Sequence, residues 1–377
     1  MKYKTLDDFD FRNKKVLVRI DINSEILKGS VVESERFIEP LRTIKELKSK
    51  GASVVLLAHQ GRKGDADFTS LKQHSKILNK YLKVKFVEDI IGKVAVREIL
   101  GLSQGEVILL ENLRFLDEEL KPSKNNSLVS VLVNLCDLYV NDAFSVSHRE
   151  QTSIISFPKV MPSCIGRSLE HELKSLEKIR IRNCTYILGG SKPEENVLLL
   201  GKDRKVLSCG MFGQLCAIAK GYNLGRQNKA LEKHFHLIPQ IKKYLKYIET
   251  PKDFALRIKG KRKEFLIEDF PLDEEIFDIG VKTIFFYISE IKKSKSIFMK
   301  GTAGYCEERQ FCEGTKKLLQ TVGSSKIFSV IGGGHTNTTM KKLRINKNKF
   351  DYVSLAGGAL IAYVAGKKLP GLEVLRK

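Results

Sequence analysis

Nine short apolar runs recur along the chain, separated by longer amphipathic stretches, and this alternation constrains the fold more than any other feature. The runs are 15-KVLVRI-20, 53-SVVLLA-58, 106-EVILLE-111, 137-DLYVND-142, 185-TYILGG-190, 205-KVLSCG-210, 296-SIFMKG-301, 326-KIFSVI-331 and 352-YVSLAG-357. They are rich in β-branched residues and do not alternate apolar with polar, as strands covered on both faces should not. Helical patterns stand between them, such as 41-LRTIKELKSKG-51, which a glycine closes. Repeated β–α alternation predicts an α/β fold with parallel sheets flanked by helices.

A chain of 377 residues exceeds one comfortable core, so two doubly wound, Rossmann-like domains are expected. In 167-RSLEHELKSLEKI-179, Leu169, Leu173, Leu176 and Ile179 recur at helical spacing near the middle of the chain. This predicts a hinge helix over 166–182, between a domain over 1–165 and another over 183–360. The closing segment, 361–377, is expected to pack back towards the N-terminal domain. The lysine-rich stretch around 240–265 reads as an excursion at the edge of the second domain.

No run of about 18 apolar residues occurs, which gives no membrane span. The opening MKYKTLDDFDF lacks the apolar core of a secretory signal. Seven cysteines without a CxxC are read as reduced thiols in a cytoplasmic protein, although 306-CEERQFC-312 could bring two together. The net charge of +22 attracts anions, phosphorylated metabolites and nucleic acid alike. Its lysines are spread along exposed helix faces, so a solvated surface is favoured over a nucleic-acid partner. A monomer is expected, with a dimer left open.

In open parallel sheets, ligands bind beyond the carboxyl ends of the strands. In the first half those ends carry Asp21 and Asn23, then His59, Gly61 and Arg62, then Glu111, Asn112 and Arg114, then Asn141, Asp142, His148 and Arg149. Singly, each has a plain structural reading: Asp21 and Asn23 a turn, Arg114 a partner for Glu111, His59 and His148 core or loop histidines. Four such ends together, three followed by arginine, point to a cationic pocket for a small polyanion, which the arginine fork grips bidentately.

The second half has glycine-rich ends: Gly189-Gly190-Ser191-Lys192, 208-SCGM-211, 300-KGTAG-304 followed by Glu307, Gly332-Gly333-Gly334, and 356-AGG-358. Backbone N–H groups at such ends can close around phosphate oxygens. One glycine pair is usually a tight turn; five such ends argue for a nucleotide. Neither GxxxxGK[ST] nor GxGxxG occurs, so a P-loop protein and a dinucleotide oxidoreductase lack support.

With these residues in view, the chain resembles phosphoglycerate kinase over essentially its whole length, and its archaeal branch in particular. The matching blocks are 18-VRIDIN-23, 57-LAHQGRKGD-65, 110-LENLRF-115, 140-VNDAFSVSHR-149, 187-ILGGSK-192, 332-GGGHT-336 and 366-GKKLPG-371. The resemblance implies a hinge-bending enzyme that reversibly transfers phosphate from 1,3-bisphosphoglycerate to ADP, giving 3-phosphoglycerate and ATP. By the match, Asp21, Asn23, Arg36, His59, Arg62, Arg114 and Arg149 of the N-terminal domain hold 3-phosphoglycerate. Gly190, Lys192, Gly210, Glu307, Gly332, Gly333, Gly334, His335 and Thr336 of the C-terminal domain hold the nucleotide. Gly190 and Gly210 would line the adenine pocket and Glu307 the ribose, while Gly357 and Gly358 belong to the transition-state loop. Arg36 and Lys192 would be catalytic. The carboxylate nucleophile is already ionised at pH 7, so the chemistry needs in-line positioning and positive charge rather than a base. Domain closure would complete the site and exclude water.

The match frays in the second half. Asn196 stands where the family has a second lysine, Lys300-Gly301-Thr302 where Asn-Gly-Pro is usual, and Leu355-Ala356 within the last glycine loop. His335 stands where an aspartate usually holds magnesium. Imidazole suits Mg²⁺ poorly, so no protein ligand to the metal is assigned, and Mg²⁺ is expected to be bound mainly through the nucleotide. Lys300 is a candidate replacement for a lost phosphate contact. The rival readings are a diverged member with weak or no kinase activity that binds anions or RNA, and some other phosphotransferase on the same architecture.

Overall fold

The computed structural model describes residues 2–178 and 184–377. The chain divides into two compact units, the first running to Lys174 and including Lys367–Lys377, the second Ser175–Gly366.

The first unit holds β1 (Lys15–Arg19), a short hairpin of β2 (Ile26–Leu27) and β3 (Ser30–Val31), then β4 (Ser53–Leu57), β5 (Lys85–Val87), β6 (Val107–Leu110), β7 (Leu138–Asn141) and β8 (Ser163–Ile165). All but the hairpin form one parallel sheet in the order β5-β6-β4-β1-β7-β8. The unalternating runs now have their cause. Val16, Val18, Val54 and Leu56 point into one core with Ile44 and Leu47, while Leu17, Val55 and Leu57 point into another with Ile108, Leu132 and Phe157. Both faces are covered, so both sets of alternate residues must be apolar.

The helix Leu41–Ser49 buries Leu41, Ile44 and Leu47 and ends at Gly51, whose φ of 83° suits the left-handed position after a helix. The helix Arg167–Glu177 starts under Asp142, whose carboxylate accepts from Ser168 N (2.9 Å), Leu169 N (3.0 Å) and the Ser168 hydroxyl (2.8 Å). Arg167 ties the same end to Asp7, Glu46 and Glu170. Leu169, Leu173 and Leu176 are buried; Ile179, and the expected hinge residues 179–182, lie outside the described residues. At the far end of the chain, Gly371 N donates to Ser147 O (2.9 Å) and Lys377 N to Lys2 O (3.0 Å), within the first unit.

The second unit contains β9 (Cys184–Leu188), β10 (Lys205–Ser208), β11 (Ile248–Glu249), β12 (Asp253–Ile258), β13 (Lys261–Leu266), β14 (Ile276–Ile279), β15 (Ser296–Lys300), β16 (Phe328–Gly332) and β17 (Tyr352–Ser354). Six of these build a parallel sheet, β11-β10-β9-β15-β16-β17. The other three resolve the lysine-rich stretch. They form a separate antiparallel sheet, β13-β12-β14, packed on Ala217, Leu224 and Ile267. One correction concerns the cysteines. Cys306 and Cys312 form a disulfide (S–S 2.09 Å), while Cys136, Cys164, Cys184, Cys209 and Cys216 are free and buried. Six residues apart around a short turn, the bonded pair needs no CxxC spacing to meet. Among the described residues no helix is long and apolar enough to cross a membrane.

Candidate functional site

In the first unit, the carboxyl ends of β1, β4, β6 and β7 gather the candidate residues. Asp21 forms an ion pair with Arg36 and accepts from the Ser145 hydroxyl. Burial opposes its charge, but Arg36 outweighs that, helped by the Ser145 hydroxyl and Asn23 N, and its pKa is held at about 2. Asn23 Oδ1 accepts from Gly61 N (2.9 Å), joining the β1 end to the β4 end. Asn112 does the same between the β4 and β6 ends, donating to Gln60 O and Thr69 O (2.8 Å each). Glu111 is occupied by Leu71 N, the Ser70 hydroxyl and Asn112 N. Arg114 does not pair with it but donates to Gly61 O.

The cations stand close enough to feel one another. Burial lowers the Arg114 pKa to about 10, with Arg149, Arg19 and Arg62 adding repulsion. Burial and then Arg62 lower that of Arg149. Arg62 itself is exposed and Arg149 half-buried. Such mutual repulsion, with Arg114 Nε lacking a hydrogen-bond partner, marks a place for an anion.

Sequence reasoning passed over Arg19. It lies fully buried inside β1, donating from Nε to Ser153 Oγ (2.9 Å) and from Nη1 to Ile20 O (2.7 Å), with Nη2 2.9 Å from His59 Nδ1. The signal was there: a charge inside an otherwise apolar run must have a buried partner. Glu119, buried and bonded to Ser153 N and Oγ, faces the same group.

In the second unit the glycine-rich ends surround one cavity of about 490 Å³. Gly190, Lys192, Gly210, Glu307, Gly333, Gly334, His335, Thr336, Gly357 and Gly358 all line it. Gly332 does not. It ends β16, and a Cβ there would stand 2.3 Å from Leu360 Cδ2, so its smallness serves packing. Gly210 has φ 55°, and a Cβ would meet Gly190 N at 2.7 Å and Thr302 O at 2.8 Å. The bare backbones of three loops can thus converge. Gly333 (φ 98°) precedes the helix Gly334–Lys342, whose first N–H groups have no partners within the helix. Thr336 Oγ accepts from Gly301 N (3.0 Å), tying the loops after β15 and β16.

The cavity also has an apolar wall of Met211, Ile276, Phe277 and Ile361, of which only Met211 stood in a strand-end run, 208-SCGM-211. Ile276 and Phe277 belong to β14, so the antiparallel sheet builds part of the wall. An apolar wall beside bare backbone suits a base and its phosphates. Of the lining carboxylates, Glu307 pairs with Lys342 and Glu195 with Lys300. Among the described residues no group of three His, Cys, Asp or Glu could hold a metal.

Comparison with known proteins gives a consistent result. The family model for phosphoglycerate kinase matches residues 6–367. A phosphoglycerate kinase of Methanothermus fervidus is 39% identical, spanning 100% of this chain and 97% of that protein. One from Sulfurisphaera tokodaii is 42% identical over 98% and 95%. The crystal structure of phosphoglycerate kinase from Pyrococcus horikoshii superposes with a TM-score of 0.90 at 33% identity, covering 98% of both chains.

Proposed function

The chain belongs to the phosphoglycerate kinase family, and from that premise we propose how its two units divide the work of the family's reaction. That reaction is the reversible transfer of a phosphoryl group from 1,3-bisphosphoglycerate to ADP, giving 3-phosphoglycerate and ATP. The relatives lend no support to an inactive anion- or RNA-binding role, since those compared are named as the kinase.

One observation carries the assignment: each parallel sheet collects a different chemistry at its carboxyl edge. The first unit collects mutually repelling cations, which suits the phosphate and carboxylate of 3-phosphoglycerate. Asp21, Asn23, Arg36, His59, Arg62, Arg114 and Arg149 would form that site, with Asp21 orienting Arg36. The second unit collects glycine backbone beside an apolar wall, which suits ADP or ATP.

In transfer to the acid, the acceptor carboxylate is ionised at pH 7 and needs no base. Arg36 would neutralise charge on the acid, and Lys192 would act on the terminal phosphoryl group. With its side chain 67% exposed, Lys192 is open to a ligand. Backbone N–H groups of the Gly357–Gly358 loop and of the helix after Gly333 would receive charge on the phosphoryl oxygens. The nucleotide would bring Mg²⁺ with it, which would supply positive charge against the phosphates. Before nucleotide arrives, the cavity carboxylates Glu195 and Glu307 are each ion-paired with a lysine, so the phosphates it travels with are the metal's first partners. Such metabolites suit a cytoplasmic protein, and a monomer would suffice for the division of work proposed.

The test is ATP- and Mg²⁺-dependent phosphorylation of 3-phosphoglycerate, coupled to reduction of the acyl phosphate. Arg36→Ala and Lys192→Ala should each lower turnover by about 10³-fold or more. Absence of turnover in the folded wild-type protein, across metals and nucleotides, would refute the assignment.

A further inference from the structure

Lys300 closes β15, in register with Leu188 of β9 and Gly332 of β16, so its backbone lies at the centre of the nucleotide-side edge. Its stem passes the Gly333 loop, where a Cβ would stand 3.8 Å from Lys300 Cγ. Its side chain is only 8% exposed, yet the residue lines the cavity. A buried ammonium is expensive to desolvate and would be replaced by an apolar side chain if filling space were its only task. Burial lowers its pKa and nearby Lys192 lowers it further, while Glu195 opposes both.

The partners of Lys300 are arranged with direction. Nζ lies 2.7 Å from Glu195 Oε2 and 3.2 Å from Asn196 Oδ1. Asn196 is fully buried, and its Nδ2 donates to Gly189 O (2.9 Å), which turns its oxygen towards Lys300. The other oxygen of Glu195 lies 3.9 Å from Lys192 Nζ. One carboxylate therefore stands between two ammonium groups on the wall of the cavity. Two oxygens shared between two lysines is also the arrangement a phosphate would adopt there.

We propose that Lys300 is a second phosphate-binding lysine of the nucleotide site, acting beside Lys192, and that Glu195 is an internal counter-ion which the nucleotide's terminal phosphate displaces. Asn196 positions the ammonium from below. Lys300 is kept charged between catalytic cycles because Glu195 takes the phosphate's place, and the carboxylate moves outward when phosphate arrives. This rests on the cavity's being the nucleotide site.

Calorimetric titration of wild type, Lys300→Met and Glu195→Gln with ADP and with AMP tests it. Lys300→Met should weaken ADP binding about tenfold to a hundredfold, the size of a lost charge-assisted contact. AMP, lacking the terminal phosphate, should change less than about twofold on the same reasoning. Glu195→Gln removes the competing anion and should tighten ADP binding. Lys300→Met that binds ADP as wild type does, or loses AMP and ADP equally, would overturn the proposal. If thermal melting shows Lys300→Met unfolded, Glu195→Gln decides: unchanged or weaker ADP binding refutes the displacement. Wild type that binds neither nucleotide would instead overturn the reading of the cavity.

Discussion

Arg19 Nη2 lies 2.9 Å from His59 Nδ1, and both side chains are buried. Arginine can only donate, so Nδ1 must accept, and the ring carries its proton on Nε2. Burial, reinforced by Arg19, holds the His59 pKa well below the ordinary histidine range. His59 thus offers a neutral N–H donor to the proposed 3-phosphoglycerate site, with its orientation set by a residue inside β1.

His59 should accordingly stay neutral, with the Nε2–H tautomer, at pH 5 to 6 in nitrogen-15 NMR of histidine-labelled protein. Arg19→Met should release the tautomer and weaken 3-phosphoglycerate binding about tenfold, as loss of one oriented hydrogen bond to a charged ligand would. A charged His59 ring at pH 6 would contradict this.

His74 should make the protein less stable in mild acid. Its buried ring donates from Nε2 to Gln60 Oε1 (3.0 Å), and burial pulls its pKa down to about 4. The unfolded ring titrates near ~6.5. Below that pH the unfolded chain takes up a proton which the folded chain refuses, so stability falls until the folded ring titrates. Between pH 7 and pH 5 this removes about 2 kcal/mol. Urea unfolding of wild type and His74→Gln at both pH values measures that share, which the variant should lack.

Asp142 caps the helix Arg167–Glu177 with three hydrogen bonds. Asp142→Ala should lower stability by about 1–2 kcal/mol, and Asp142→Asn by less because an acceptor remains. Urea unfolding followed by circular dichroism would show it.

The Cys306–Cys312 bond predicts a thiol count. Without reductant, the unfolded protein should show five reactive thiols, rising to seven after reduction. The double replacement by serine should cost about 2 kcal/mol, from the loop entropy returned to the unfolded chain. Seven thiols before reduction would show that the bond does not form.

The parallel sheets were legible in the sequence because burial on both faces demands continuous apolar runs, which are local. The positions of Asp21, His59, Arg114 and Arg149 were legible for the same reason, since each follows a run that ends at the carboxyl edge of the sheet. The antiparallel sheet was not. Along β13, Lys261, Arg262, Lys263 and Glu264 precede any apolar residue, so the strand has no apolar period to detect. The apolar wall that β14 adds to the cavity was hidden with it.

By itself, then, the sequence determined the fold class, the two chemistries of the strand ends, and the absence of a known nucleotide-loop signature. These depend on periodicity and on residues adjacent in the chain. Tertiary structure alone decided that Arg19 orients His59, that Gly332 packs against Leu360, and that Lys300 reaches Glu195 and Asn196. Lys300 and Asn196 are 104 positions apart. They meet because β15 lies beside β9 in the sheet, and strand order is set by packing across the whole domain, which no local pattern of residues records.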